Sequence, residues 1–314
     1  MSELEADRLV ALDIPRVPAT QRWWKRLGTA LSNAWYELRK SRTASIGAVM
    51  LVLLFGGCIA TPWIATHDPI KQSYRERLKP PSEKHLLGTD RLGRDIYSRL
   101  LWGGRRLVTI AVLAVCLGLA IGIPFGVLSG YFGGLADTVG MRVVDGFLAF
   151  PGLLLYLLFV TLAQAWKLEG VYVDLVLISA LGIAFFPEVA RLSRGSMLAE
   201  KQKEYVEASR AIGDGPLSIA LSQILPNIVS PLIVTATVRL GFVILIVAAL
   251  SFLGLGTPPP TPDWGSDLSS ARDYMETHPL MAAFPGLAIR YTVLAFNLFG
   301  DGLRDILDPR IVER

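Results

Sequence analysis

The chain has 314 residues, of which 52% are hydrophobic and only 18% are charged. A soluble domain has about 25% charged residues. Here the apolar residues form long blocks, so the composition indicates an integral membrane protein and excludes disordered, collagen-like and small secreted classes. The net charge of +4 gives no electrostatic support for nucleic-acid binding. Cys58 and Cys116 lie in apolar runs, so neither a disulfide framework nor a zinc cluster is expected.

Residues 1–43 form an N-terminal tail that is rich in arginine and lysine. The positive-inside rule places this tail in the cytoplasm. Several large apolar residues share one helical face of the tail, which favours an amphipathic helix lying on the inner membrane surface. A mobile tail with incidental tryptophans is the alternative. The residues of that face are Trp24, Leu27, Leu31, Trp35 and Leu38.

Six segments have the length and composition of membrane-spanning helices, which need about 20 apolar residues each. The segments are Ala44–Ala65, Leu107–Ala136, Gly146–Trp166, Val171–Ala190, Ile228–Leu255 and Pro279–Gly300. The sequence therefore predicts an all-α integral membrane protein. Its six-span domain covers 44–310, a short tail covers 311–314, and both termini are cytoplasmic.

This topology also predicts on which side of the membrane each long loop lies. Residues 67–106 are expected outside the cell, although they contain ten lysines and arginines, which strains the positive-inside rule. Residues 191–227 are expected inside. The three histidines, His67, His85 and His278, are expected to be isolated and solvated in loops, because they lack the spacing of metal ligands.

The second span contains four glycines at intervals of four residues, which places them on one helix stripe. A neighbouring helix can approach the backbone closely along such a stripe. Generic helix packing and the lining of a moving gate are both open interpretations. Pro124 and Pro151 predict kinks in the helices that contain them. The four glycines are Gly118, Gly122, Gly126 and Gly130.

The last two spans each contain one arginine near the middle, Arg239 and Arg290. Charged residues at that depth usually face a bundle interior or a wet cavity, which suggests a translocation path. Snorkelling towards the interface, or pairing with backbone carbonyls, is the alternative. The spans lack mid-membrane carboxylates for a proton relay, which disfavours an ion-coupled carrier.

The sequence contains no nucleotide-binding loop. A P-loop needs a Gly-Lys-Ser/Thr ending, because the lysine reaches the terminal phosphates. The nearest segment, Gly88–Asp95, reads GTDRLGRD, with an arginine and an aspartate at the decisive positions. We therefore expect the chain to bind no cofactor itself.

Within residues 191–227 the pattern predicts a helix, a break and a second helix. Leu198, Tyr205, Ala208 and Ile212 share one side of the first helix. The sequence Gly213-Asp214-Gly215 ends that helix, Pro216 suits the first turn of the next one, and Pro226 is expected to end it. A short helical elbow that projects from a membrane bundle has the shape needed to dock in a groove of a soluble partner.

These residues resemble a known family. Glu207-Ala208-Ser209, then Gly213, then Ile224-Leu225-Pro226 is similar to the EAA loop of ABC-importer permeases, the binding-protein-dependent transport inner-membrane components with the MetI-like fold. Ser209 replaces the usual second alanine, and the isoleucine directly precedes Leu-Pro. Three further stretches resemble the C-type second subunit of the dipeptide and oligopeptide branch. They are Gly88–Asp95 with Ser98-Arg99-Leu100, Phe252–Gly256 with Pro259 and Trp264, and Asn297–Asp305 with Asp308-Pro309-Arg310.

The resemblance implies a pore-forming subunit in the cytoplasmic (inner) membrane of a prokaryote. It implies four partners: a homologous B-type permease that completes a heterodimer, two ABC ATPase subunits and an extracytoplasmic substrate-binding protein. The EAA loop would couple the chain to the ATPase, with Glu207 capping a helix or pairing with a basic residue. A solvated charge is the alternative for Glu207. The implied coupling residues are Tyr205, Glu207, Ala208, Ala211, Gly213, Asp214, Pro216 and Leu217.

Three alternatives to peptide import remain open from the sequence. The same machinery imports nickel, opines, sugars or glutathione in this branch. A secondary transporter acting alone would need no ATPase. A membrane-anchored scaffold would need neither the glycine stripe nor the elbow.

Overall fold

A computed structural model describes residues 41–307 except 169 and 258. The predicted amphipathic helix of residues 24–38 and the tail at 311–314 lie outside the described residues. Within the described ranges the ordered elements are helices, which confirms the all-α prediction. The helices are α1 (Arg42–Ile64), α2 (Ile96–Phe132), α3 (Gly134–Ala149), α4 (Gly152–Ala165), α5 (Val171–Glu200), α6 (Glu204–Ala211), α7 (Pro216–Phe252), α8 (Trp264–Ala271) and α9 (Pro279–Leu307).

Five of the described helices are long and apolar enough to cross a membrane, namely α1, α2, α5, α7 and α9. The third predicted span is different, because Gly146–Trp166 is not one straight helix. It is divided between α3 and α4, which meet at an angle of 78°. The sixth span therefore exists only if this bent pair crosses as one unit.

The bend between α3 and α4 has a local cause at Phe150 and Pro151. Phe150 has an extended backbone, with φ −84° and ψ 128°. The residue before a proline is pushed out of the helical region by the proline ring. The kink that Pro151 predicts is thus present, and it is sharp enough to interrupt the helix.

Several predicted boundaries were wrong. The second span was expected at Leu107–Ala136, but α2 begins at Ile96 and ends at Phe132, where Gly133 adopts a positive φ of 66°. The helix predicted to end at Ala190 continues to Glu200 as α5. Pro226 does not end a helix either: α7 runs through it without interruption. A π-helical stretch at Ile219–Ile224 precedes Pro226 within α7.

The glycine stripe of α2 lies against α5. A Cβ added at Gly118 would come within 2.6 Å of the Phe185 ring, and one at Gly122 within 2.6 Å of the Val189 Cβ. Such distances are shorter than any carbon contact allows, so both positions require glycine. Gly126 and Gly130 contact the next two turns of α5 in the same way. Close backbone approach along a small-residue stripe is a common way of packing helices in membranes.

The segment before α2 is tied to the far end of the chain. Asp95 caps α2, accepting a hydrogen bond from the Ser98 amide at 2.8 Å. One turn later the buried Arg99 pairs with Asp267 of α8. The indole of Trp264 donates to the Leu100 carbonyl at 2.7 Å. These contacts hold α8 against the first turn of α2 at this end of the bundle.

Candidate functional site

The elbow between α5 and α7 consists of α6 and the turn that follows it. Gly213 has a φ of +88°, a conformation that side-chain-bearing residues rarely adopt, and nothing lies near its missing Cβ. The Asp214 amide donates to the Ser209 carbonyl at 3.1 Å, and the Gly213 amide donates to the Arg210 carbonyl. Pro216 then occupies the first turn of α7. The turn between the helices therefore depends on Gly213.

Buried side chains attach the elbow to the bundle. Val206 and Ser209 on α6 are buried, as are Ile219, Ala220 and Ile224 at the start of α7. A polar network lies beside this apolar contact. The Tyr205 hydroxyl donates to the Glu200 carboxylate at 2.8 Å and accepts from the Asn227 side-chain amide at 3.1 Å. The elbow is thus anchored at its base by apolar packing and by a short polar network.

The polar network at the base keeps its charges at neutral pH. The hydrogen bond from Lys203 to Glu200 raises the pKa of the Lys203 ammonium. Burial raises the pKa of the Tyr205 hydroxyl, and its hydrogen bond to Glu200 acts in the same direction. Tyr205 therefore remains a neutral donor beside a charged lysine.

The tip of the elbow exposes an apolar surface. Ile212 is 79% exposed and Leu217 is 54% exposed. Ala208 and Ala211 are exposed beside them. Glu207 is also exposed, and its carboxylate makes no hydrogen bond or ion pair with the other described residues. The elbow tip, defined by Glu207, Ala208, Ala211, Ile212 and Leu217, is therefore largely uncovered by the described residues.

Arg239 lies at a cavity of about 640 Å³ formed mainly by α5, α7 and α9. Its guanidinium pairs with Glu188 of α5 at 3.1 Å and lies 5.2 Å and 5.1 Å from the ring centroids of Phe185 and Phe242. The cavity wall is mostly apolar, and Arg304 adds a second positive charge. This arrangement can hold a solute that has both an apolar part and a charged end.

Arg290 is in a different environment. Its side chain is exposed on α9 and has no ion pair or hydrogen bond with the other residues that the structure describes. It does not line the cavity that contains Arg239. The structure therefore does not bring the two arginines of the sequence prediction to one site.

The fold and the elbow have a counterpart among known protein families. The model of the family "Binding-protein-dependent transport system inner membrane component" matches residues 122–313. The model of the N-terminal transmembrane domain of oligopeptide transport permease C matches residues 29–81. The chain belongs to the binding-protein-dependent transport permeases. This confirms the family that the EAA-like residues indicate, and it identifies the chain as a membrane transport component of ABC importers and not as an enzyme.

Curated relatives of this permease cover nearly its whole length. The dipeptide transport system permease protein DppC of Haemophilus influenzae is 40% identical over 289 residues, which are 90% of this chain and 96% of the relative. The di/tripeptide transport system permease protein DppC of Pseudomonas aeruginosa is 40% identical, covering 90% and 92%. The glutathione transport system permease protein GsiD of an Escherichia coli O1:K1 strain is 44% identical, covering 88% and 89%.

The solved structures include one with the same fold. An inward-facing conformation of the MetNI methionine ABC transporter matches with a TM-score of 0.52 and 21% identity. The match covers 66% of this chain and 96% of the solved chain. This likeness shows that the permease has the MetI-like fold.

Sequence reasoning missed two groups of polar residues in this permease. Glu188 was placed near a span end, whereas the longer α5 puts it inside the helix and opposite Arg239. The prediction of isolated histidines was wrong for two of the three. His67 and His85 lie with Asp95 in one cluster, and His85 is only 4% exposed. The loop folds back on itself at Gly88 and Gly93, which both have a positive φ.

Proposed function

We propose that this chain is a pore-forming permease subunit of an ABC importer that translocates di- and oligopeptides across the cytoplasmic membrane. Family membership over most of the chain carries the proposal. The substrate class is supported by the dipeptide and di/tripeptide permeases, which are 40% identical along nearly the whole chain. The five apolar helices and the bent pair supply the membrane part of such a pore.

The elbow tip is the surface through which ATP hydrolysis by a partner would act. Its apolar side chains, Ile212 and Leu217 above all, are exposed, as expected of a surface that docks in a groove. Glu207 would pair with a basic residue of the ATPase. Because Gly213 fixes the turn and α5 and α7 continue directly into the bundle, displacement of the tip would move both helices.

The proposal includes four partners and an orientation. A homologous B-type permease completes the heterodimeric pore, two ATPase subunits bind ATP and Mg²⁺, and an extracytoplasmic binding protein delivers the solute. Both termini and the elbow are cytoplasmic, whereas residues 67–95 and α8 face the exterior. Basic residues support this orientation, because Arg191, Arg194, Lys201, Lys203 and Arg210 all lie in or near the elbow.

Within this function we assign Arg239 to the translocation path and leave Arg290 out of it. Arg239 and Glu188 together offer one positive and one negative group at a cavity. A zwitterionic peptide has a carboxylate and an ammonium group that match this pair. Among the described residues, Arg290 has neither a cavity nor an opposite charge beside it. The glycine stripe would let α2 stay in contact with α5 while the helices rock.

A second substrate is supported by one specific observation. The glutathione permease is 44% identical over 88% of this chain, against 40% over 90% for the two dipeptide permeases. Glutathione is itself a tripeptide with two carboxylates, so the same cavity chemistry applies to it. A competition assay distinguishes the two substrates, whereas the architecture of the pore does not.

Uptake by the reconstituted complex tests the proposal. The chain and its partners are placed in proteoliposomes with the binding protein, and uptake of a radiolabelled dipeptide is measured with and without ATP. We expect uptake that requires ATP and is competed by unlabelled dipeptide more strongly than by glutathione. Uptake driven by an ion gradient in liposomes that contain this chain alone would contradict the proposal.

A further inference from the structure

Two histidines and an aspartate meet in a pocket before α2 that the transport function does not use. His85 Nδ1 lies 2.9 Å from Asp95 Oδ1, and His67 Nδ1 lies 3.8 Å from the same oxygen. The two imidazole rings are stacked with a centroid distance of 4.6 Å. One ligand atom from each residue lies within 4.8 Å of the others. The three side chains border a cavity of about 410 Å³.

These distances are close to those of a metal site. Two ligand atoms on a tetrahedral zinc ion, each about 2.1 Å from the metal, are about 3.4 Å apart. The two measured separations from Asp95 Oδ1 lie on either side of that value. A small rotation of the partly exposed His67 ring would close the longer one, because its side chain is 33% exposed.

The second ring nitrogen of His85, Nε2, is left without a hydrogen bond among the described residues, although the side chain is buried. Buried polar atoms in native proteins are nearly always paired. Glu76 Oε2 lies 3.5 Å from this atom, just beyond hydrogen-bonding range. If Nδ1 binds a metal, Nε2 must carry the proton, and a short movement lets it donate to Glu76. Metal-bound histidines usually donate their second nitrogen to a carboxylate in this way.

The surrounding charges suit that arrangement. Lys84 donates a hydrogen bond to Glu76 Oε1, which leaves Oε2 facing His85. Asp95 accepts hydrogen bonds at Oδ2 from the Ser98 amide at 2.8 Å and from the Ser98 hydroxyl at 2.7 Å. Its Oδ1 is therefore turned towards the histidines.

We propose that His67, His85 and Asp95 bind a divalent cation of the zinc class through two imidazole nitrogens and one carboxylate oxygen, with water at the fourth position. The donor set is the one that zinc favours. His67 lies at the start of the segment after α1, His85 in the loop before α2, and Asp95 at the cap of α2. A bound ion would therefore clamp α1 to the start of α2. This site does not depend on which solute the permease carries.

Zinc titration of the assembled transporter tests this site. The complex is treated with chelator, dialysed and titrated with ZnCl₂ in a calorimeter, and Co²⁺ absorption spectra report the coordination number. We expect one equivalent of zinc that is lost in the variants His85→Gln and His67→Gln, with at least a 100-fold weaker Kd. Glu76→Gln should weaken binding about tenfold, because Glu76 only orients His85.

His278→Gln is the matched control. His278 is half-buried and lies outside the cluster, and its ring bonds only to the Thr277 hydroxyl among the described residues, so its replacement should leave zinc binding unchanged. Circular dichroism and peptide uptake show whether each variant folds, and the more exposed His67 provides a variant with little risk to folding. Zinc binding that survives in folded His67→Gln and His85→Gln proteins would overturn the proposal. So would the absence of zinc binding in a wild-type complex that transports peptide.

Discussion

The guanidinium of Arg99 binds the carboxylate of Asp267 through two nitrogens, with Nη2 2.5 Å from Oδ1 and Nε 3.2 Å from Oδ2. The two residues are 168 positions apart in the chain. Arg99 also donates to the carbonyl oxygens of Pro69 and Pro260, at 3.0 Å and 3.1 Å. One buried side chain thus joins α2, the segment after α1 and the loop before α8.

We predict that Asp267→Asn destabilises the protein. The change leaves the buried Arg99 charge without its counter-ion, and removing one partner of a buried pair costs about 3–5 kcal/mol. The midpoint of thermal unfolding of the purified complex should fall clearly. Asp273→Asn is the control, because Asp273 is exposed one helical segment later. Equal unfolding midpoints for both variants would show that the Arg99 pair does not stabilise this end of the bundle.

The stripe of α2 gives a second prediction. Gly122→Ala should destabilise the bundle, because the added methyl group would overlap Val189 and the Phe186 carbonyl on α5. Gly195→Ala on α5 is the control, since nothing lies within 4 Å of its Cβ position. There alanine should add about 1 kcal/mol of helix stability. The unfolding midpoints of the two variants should therefore shift in opposite directions, and a Gly122→Ala midpoint at or above that of wild type would contradict close packing at the stripe.

The turn after α6 gives a third prediction. Gly213→Val forces a branched side chain into a left-handed conformation, at a cost of about 1–2 kcal/mol. We expect normal membrane insertion with ATP hydrolysis that no longer drives uptake, measured as the ratio of peptide transported to ATP consumed. Gly215→Val is the control, because Gly215 has φ −69° and ψ 149°, which valine adopts readily. A normal ratio in Gly213→Val would mean that the turn geometry is not needed for coupling.

The cavity beside α7 gives a fourth prediction. Arg239→Gln removes the partner of Glu188 and the positive charge at the cavity wall. We expect the KM for dipeptide uptake to rise about tenfold, as for the loss of one charged hydrogen bond. Arg290→Gln should leave KM unchanged. If both variants behave like wild type while remaining assembled, Arg239 does not contact the solute.

Much of the fold could be predicted from the sequence, because apolar length alone identifies helices such as α1 and α9. The bend at Pro151 was indicated by the proline, but its angle depends on how α3 and α4 pack. The Glu188 pair could not be predicted, since its position depends on α5 continuing past Ala190 to Glu200. Beyond Ala190 the helix contains several charged residues, and composition alone does not distinguish such a charged helical segment from a loop.

The elbow and the histidine cluster also differ in how far the sequence predicts them. The elbow was predictable because Gly213 and Pro216 act on their own local backbone. The cluster of His85 and Asp95 was not, since the two residues are ten positions apart and meet only because Gly88 and Gly93 turn the loop back. Spacing rules describe ligands on one helix or one turn, and they do not describe a folded loop.

The central claim is that the elbow tip docks on an ATPase subunit. Cysteine crosslinking measures this directly, in a complex whose native Cys58 and Cys116 are replaced. We predict that Ala211→Cys crosslinks to a cysteine in the groove of the ATPase and that crosslinking changes with bound ATP. Leu86→Cys, exposed before α2 at the other end of the bundle, should not crosslink. Crosslinks to the ATPase from Leu86→Cys and none from Ala211→Cys would contradict the account.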